Sequence, residues 1–511
     1  MSEADDIGYY EAGVGSGKTK IIIENMRKHE GKPHLYVVPT KALAEDIARR
    51  LIGSEHSKPT SGFMNSVKVV HSDTILAGER VAQVVLSRLL SAEGKRGVTL
   101  VTTKSFHDLF IMLENTQILK GFHIILDEGL KSAFTSQAFL DKSSCKLAKD
   151  LFYTTGNGNR KANLDKLSLI TAILEGDMKR IPDGYYALKD NEALCEMLTF
   201  AKSKFFDVRM NWHEGRVDMA AGLRAEVFDD AGAVTIVLAN FKNTALCKSL
   251  QATNDGRYEF VSLDTAAKDE LFDTHKEKGS LVNIGYLLHL DDPATMTNLK
   301  KTVDGEPVWK HALAACDKFF SGLQDGFVWI YTINETFSHK ARRASKGERI
   351  PTQNSGLDIH KQKNGVAVLA TQNQPIALQT LLSEVLNCDV ADLYMDDSFN
   401  HAYQTVGRCS IRNRAKQDKI YMLVLSKGIA DRLLDTFEGS VDLGQLSNLP
   451  SLKAESNAER NRSIKKAAQD KNAGRVWEGK HRTAWNRYKA KCKQDDIQPM
   501  DRNAFYDWKY A

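Results

Sequence analysis

The segment Gly13-Val14-Gly15-Ser16-Gly17-Lys18-Thr19 constrains this chain more than any other, because an apolar run at 7–10 leads into it and a helix-like run at 21–27 leads out. A glycine-rich loop opening a helix turns successive backbone N–H groups toward one point, where the positive end of the helix dipole also lies. In such a loop Lys18 reaches the β- and γ-phosphates of a nucleoside triphosphate, and the Thr19 hydroxyl takes a place on Mg²⁺. Gly13, Gly15, Ser16 and Gly17 supply the backbone of the cradle, although Ala12 stands where the general pattern has glycine. The strand before and the helix after distinguish it from a chance glycine turn.

Apolar runs at 35–38, 67–70, 98–101 and 122–126 read as further buried strands. The first ends in Pro39-Thr40-Lys41 and the third in Thr102-Thr103-Lys104. Between strands, spacings such as Leu43, Ile47, Leu51 are helical. Strands alternating with helices predict a parallel sheet covered on both faces, with ligands at the carboxyl ends of the strands. The last run ends in Asp127-Glu128. There one carboxylate, Asp127, can hold Mg²⁺ through its water shell while Glu128 orients and activates the attacking water.

Between 131 and 230 the pattern changes. Helical spacing at 164–174 and 191–206, with turns at 155–159 and 182–184, predicts a mainly helical insertion. The run 234–238 returns to the sheet. A second α/β region starts near 271, with strands at 327–331 and 366–370 and a polar loop at 353–358. Farther on, Gln404, Arg408 and Arg412 would project from one face of a helix at i, i+4 and i+8. Two guanidinium groups and an amide on one face suit a γ-phosphate, whose oxygens they match and whose developing charge they stabilise.

The seven cysteines form no C-x-x-C pair, which fits reduced thiols in a cytoplasmic setting and argues against a zinc site. Neither an acidic N-terminus without a long apolar run nor any other stretch suggests a signal peptide or a membrane span. The net charge of +5 is uneven: 460–493 holds twelve Lys/Arg against Asp470 and Glu478, a local +10 that leaves the remainder at −5. Trp477, Arg482, Trp485 and Arg487 interleave rings and cations there, a pattern that can stack bases and hold phosphates. A solvated basic helix has the same composition.

Together these residues resemble the superfamily 2 helicases. The resemblance implies two RecA-like parallel-sheet domains in tandem, an α/β fold, with ATP and Mg²⁺ bound in the cleft between them. Residues 12–19 are similar to motif I of that family, Pro39-Thr40-Lys41 to motif Ia, and Thr102-Thr103 to a further strand-end motif. In the family, Thr40, Lys41, Thr102 and Thr103 would contact the nucleic-acid backbone. Asp127-Glu128-Gly129-Leu130 occupies motif II without reading D-E-A-D or D-E-A-H, and Ala239-Asn240 stands where motif III reads S-A-T. Gly356-Leu357-Asp358 is similar to motif V, which would place Gly356 and Asp358 at the nucleotide. Gln404 to Arg412 resembles motif VI, Q-x-x-G-R-x-x-R. These departures look like those of a phage or mobile-element helicase.

The expected organisation is a first RecA-like domain at 1–270 with the insertion at about 131–230, a second at 271–445, and a basic extension at 446–511. The expected activity is ATP-dependent translocation or unwinding of nucleic acid, DNA ahead of RNA, with no membrane partner and the oligomeric state left open. Two rivals stand beside it: an ATPase of phage DNA packaging, and an ATP-switched binding module that unwinds nothing.

Overall fold

Strands buried on both faces of a sheet are written as unbroken apolar runs. So it is with β1 (Asp6–Tyr10), β2 (His34–Val38), β4 (Val98–Thr102) and β5 (His123–Asp127), while β3 (Val67–Val70), at the sheet edge, is partly exposed. In this computed structural model residues 6–449 are described, save 12, 14, 54–65, 128–132, 157, 239–243, 255, 264–270, 324–326, 353–359, 372–375 and 387–389; Tyr488 is described beyond them. Residues 1–452 make one unit and 453–511 another, so the basic extension and its Trp477, Arg482, Trp485 and Arg487 lie outside the described residues.

After β5 come β6 (Ala133–Phe139), the short antiparallel pair β7 (Phe152–Thr154) and β8 (Arg160–Ala162), then β9 (Phe206–His213) and β10 (Arg216–Leu223). The chain returns through β11 (Ala233–Val237) and β12 (Glu259–Ser262) to complete a seven-stranded parallel sheet, ordered β12-β1-β11-β5-β2-β4-β3. All seven strands lie between residues 6 and 262.

The insertion is α+β and not mainly helical. Helices Leu167–Glu175 and Glu192–Lys202 stand where helical spacing predicts them. Beside them β6, β10 and β9 form an antiparallel sheet. The physical reason is visible in Phe206–His213, where buried and exposed residues alternate with the period of two that a one-faced strand requires. A turn at Gly215, with φ of 77°, reverses the chain into β10. Nor is the insertion a separate lobe. Phe206 meets Phe134 and Phe200 edge-on, both Phe134 and Phe206 meet His107 edge-on, and Phe205 meets Phe110, so it shares a core with the helix Thr103–Met112.

The second domain contains β13 (Val282–Leu288), the small pair β14 (Thr302–Val303) and β15 (Glu306–Pro307), then β16 (Trp329–Ile333), β17 (Glu348–Arg349), β18 (Gly365–Leu369), β19 (Ile420–Ser426) and β20 (Val441–Gln445). Six of these form a parallel sheet ordered β17-β16-β18-β19-β13-β20. Its two faces carry separate apolar cores, one around Ile284, Val424 and Val406, the other around Trp309, Phe320 and Trp329. Two parallel sheets in tandem are the RecA-like pair the motifs imply. One element crosses back: from the helix Ile376–Leu386, Leu378, Leu381, Leu382, Val385 and Leu386 pack on Ala220 of the insertion.

Candidate active site in the cleft between the parallel sheets

The loop after β1 turns through two residues that only glycine adopts without strain, Gly15 at φ 73° and Gly17 at φ 100°. Gly17 then caps the helix Lys18–Lys28. Lys18 is buried and its Nζ donates to Gly13 O at 2.8 Å and Ser16 Oγ at 3.4 Å, so the ammonium is folded into the loop. Thr19 Oγ1 donates to Asp127 Oδ2 at 3.0 Å. Asp127, 2% exposed at the end of β5, takes a second donor, Tyr36 Oη at 2.7 Å. The structure thus brings Lys18, Thr19 and Asp127 together as the sequence predicts. It adds Tyr36, which in the sequence is one more apolar residue of a buried strand.

A hard-oxygen pair of this kind, at the mouth of a glycine loop, suits a small divalent cation and its phosphate ligands. Glu128 lies outside the described residues, as do Ala239-Asn240, Gly356 and Asp358.

The segment joining the two sheets lies over the loop. Phe272 N donates to Ser16 O at 2.8 Å. A Cβ on Gly13 would sit 2.7 Å from Thr274 Oγ1 and 2.9 Å from His275 Nε2, so the loop must be glycine for the linker to approach. His275 shares a hydrogen bond with Tyr403 Oη at 2.6 Å. Burial, opposed by Asp273 and aided by the charge of Lys18, holds its imidazole below the ordinary range.

The expected arginine face is corrected here. The helix Val390–Val406 ends before Gly407, and residues 410–412 form a separate 3-10 turn. Gln404, Arg408 and Arg412 therefore do not share one helix face. The strict spacing is also one residue longer than motif VI, since Ile411 occupies the place of the second arginine and is fully buried in the second core. Arg408 is 1% exposed inside the second domain, close enough to His360 that its charge helps to depress that imidazole. Gln404 Oε1 is buried and has no hydrogen-bond partner among the described residues. Arg412 does reach the loop: a Cβ on Gly15 would lie 2.8 Å from Arg412 Cγ and 3.2 Å from its Cα. Its Nε donates to Gly407 O. Arg414, outside the motif, donates from Nη2 to Ser16 O at 3.1 Å.

The four strand-end residues expected to touch nucleic acid occupy neighbouring positions, since Val38 pairs with Thr102 across β2 and β4. Thr40 and Thr102 cap the helices that follow, accepting from Leu43 N and Ser105 N, and Thr103 Oγ1 donates to Val38 O. Lys41 pairs with Asp73 at 2.7 Å.

A glycine loop, a buried aspartate on its threonine, and arginines arriving from a second parallel sheet define a nucleotide hydrolase of two tandem domains. Residues 5–132 match the family model described as DEAD/DEAH box helicase. The match covers the first domain from β1 to just past Asp127 and does not extend to the second, and it supports an ATP-hydrolysing, nucleic-acid-dependent enzyme. No curated protein matches it. Among solved structures it is similar to one described as "XPD_Helicase", at 12% identity and a TM-score of 0.43, covering 86% of this chain and 96% of that one. It is also similar to a single-residue variant of S. cerevisiae Dbp5 bound to RNA and ADP BeF3, at 9% identity and a TM-score of 0.38, covering 86% and 85%. The helicase MrfA bound to DNA and AMPPNP gives 11% identity and a TM-score of 0.29, covering 83% and 46%. Among the described residues no helix is long and apolar enough to cross a membrane, and no group of three or more His, Cys, Asp and Glu side chains is placed to hold a metal ion.

Proposed function

We propose that this enzyme is a translocase or helicase that works on DNA in preference to RNA, hydrolysing ATP with Mg²⁺ between its two parallel-sheet domains. The observation that carries the reading is the carboxylate of Asp127, held by Thr19 on the phosphate loop while Arg412 of the second domain packs on Gly15 of the same loop. Thr19 and Asp127 would hold the Mg²⁺, which would supply neutralisation of phosphate charge. Lys18 exchanges its bonds to Gly13 and Ser16 for phosphate oxygens, Glu128 takes the proton of the attacking water, and Arg412 stabilises the developing charge. Gly356 and Asp358 would bind the nucleotide, as their likeness to motif V implies. Thr40, Lys41, Thr102 and Thr103, side by side at strand ends, face the backbone of the polymer, and the basic extension with Trp477, Arg482, Trp485 and Arg487 adds a second contact.

Motif II reads D-E-G-L and assigns no subfamily, so the order of DNA before RNA rests on the turnover test below. A soluble, cytoplasmic setting and a phage or mobile-element origin fit the thiols and the divergent motifs. The deciding experiment is ATP turnover measured with single- and double-stranded DNA and RNA supplied in turn, followed by a strand-displacement assay. Stimulation by DNA above RNA, with displacement, is the expected result. Turnover indifferent to every polymer would overturn the reading, and stimulation without displacement would make the enzyme a translocase only.

A further inference from the structure

Arg414 lies two residues past the Gln404–Arg412 motif and is a second-domain side chain with a hydrogen bond into the phosphate loop. Ser16 O, the carbonyl it reaches, is held at the same time by Phe272 N of the linker at 2.8 Å. The Arg414 guanidinium lies over the Phe272 ring, 4.7 Å from its centroid. Nη2 would stand 3.5 Å from a Cβ on Gly17. From below, the buried Lys278 of the linker helix Thr274–Gly279 donates to Arg414 O at 3.1 Å and to Lys416 O. Loop, linker and second domain therefore meet at one carbonyl, and a single guanidinium joins all three.

The contrast with Arg408 gives the arrangement its meaning. Arg408 is enclosed in the second domain, whereas Arg414 is exposed. An arginine is suited to this place because its planar fork can lie on a ring and donate at its edge together, which a lysine cannot do.

We propose that Arg414 is a positioning residue for ATP hydrolysis: acting through Ser16 and stacked on Phe272, it fixes the second domain against the phosphate loop so that Arg412 arrives in register. This rests on reading the cleft as an ATPase site. Because Arg414 acts on loop geometry and not on ATP itself, its loss separates kcat from KM.

The test measures steady-state ATP hydrolysis, with saturating single-stranded DNA, for wild type, Lys18→Ala, Arg414→Ala, Arg414→Lys, Phe272→Ala and the Arg414→Ala/Phe272→Ala pair. Arg414→Ala should lower kcat ten- to a hundredfold, about 1.4–2.7 kcal/mol at 1.36 per decade, with KM for ATP within threefold and the melting temperature unchanged. Arg414→Lys should recover only part of the loss. Phe272→Ala should lower kcat less, and the double variant should be no worse than Arg414→Ala within twofold, because both act through one contact. Wild-type turnover in Arg414→Ala, or losses that multiply in the double variant, would overturn the proposal. Should wild type and Lys18→Ala turn over ATP alike, the ATPase reading itself falls. If Lys18→Ala is dead while Arg414→Ala is normal, only the role of Arg414 falls.

Discussion

Asp127 accepts two hydrogen bonds at one oxygen, and each donor sets a different expectation. Thr19 is spent on the cation when it binds, whereas Tyr36 stays in place and orients the carboxylate. Tyr36→Phe removes only that hydroxyl. A hydrogen bond to a charged group contributes about 1.5–3 kcal/mol, so kcat should fall roughly ten- to a hundredfold and the Mg²⁺ concentration for half activity should rise. An Mg²⁺ titration of turnover checks it, and an unchanged half-point would mean the hydroxyl only fills the core. Lys18→Ala should abolish turnover outright and leave the melting temperature near wild type, since the ammonium bonds within the loop it serves. Lys18, Thr19 and Asp127 are legible in the sequence because their chemistry is tied to short, local patterns of glycine and apolar strand. Tyr36 is not, because its partner lies 91 residues away and a buried strand tyrosine looks the same with or without a catalytic neighbour. Arg414 is hidden for a like reason, since nothing local marks an arginine whose acceptor is 398 residues upstream.

At the level of elements, eight apolar runs mark parallel strands to within two residues, because doubly buried strands are written that way. Val282–Leu288 and Ile420–Ser426, equally buried, are not among the runs singled out. The helix expected to continue through 404–412 ends at Val406, where backbone bonding tightens from Gly407 N on Tyr403 O to Arg408 N on Thr405 O, and the chain passes into the short 3-10 segment Ser410–Arg412. The insertion misleads for a different reason: its helices announce themselves by spacing, while β9 and β10 sit among charged residues and read as surface. Its sheet matters to the cleft because the helix Ile376–Leu386 of the second domain rests on it. Gly222 makes that approach possible, since a Cβ there would lie 2.3 Å from Val385 Cγ1. Gly222→Val should therefore push the helix off its seat. Overpacking costs about 1–3 kcal/mol, so amide exchange over 376–386 should speed up by roughly tenfold or more. Hydrogen exchange followed by mass spectrometry reads this directly. Unchanged protection of 376–386 would show that the helix holds its place without the insertion.

For the whole molecule, acid should be more damaging than the net charge suggests. Burial lowers the imidazoles of His34, His275 and His360, and those of His123 and His401 to about 4. Above the ordinary value of about 6.5 these groups are neutral folded or unfolded. Below it the unfolded chain takes up protons that the folded chain refuses, so stability is lost as pH falls from about 6.5 toward the folded values, at about 1.4 kcal/mol per pH unit for each histidine inside its window. Melting temperatures should drop steeply between pH 6.5 and 5, and a flat profile there would mean the imidazoles are not held neutral.

The basic extension is a separate question of scale, because its boundary decides what a truncation measures. Cutting at 446 would damage the second domain: Ser447 Oγ donates to Leu287 O, and Leu449 is buried in the core around Trp309 and Trp329. The compact unit runs to Leu452, so the informative deletion begins at Lys453. It removes the +10 segment and none of the residues assigned to the cleft. Turnover at saturating polymer should stay within about twofold, while polymer affinity falls. Every phosphate that the shortened protein no longer neutralises should flatten the slope of log affinity against log salt, by about 0.9 on duplex DNA or about 0.7 on a single strand. Trp477→Ala and Trp485→Ala in the full chain should mainly weaken single-strand binding, by roughly 1–3 kcal/mol per stacked base. The measurement is a salt titration of binding by full-length and truncated protein. Parallel slopes would assign the extension to solvent or to a protein partner, and would leave the strand-end residues of the first sheet as the remaining candidate contact with nucleic acid.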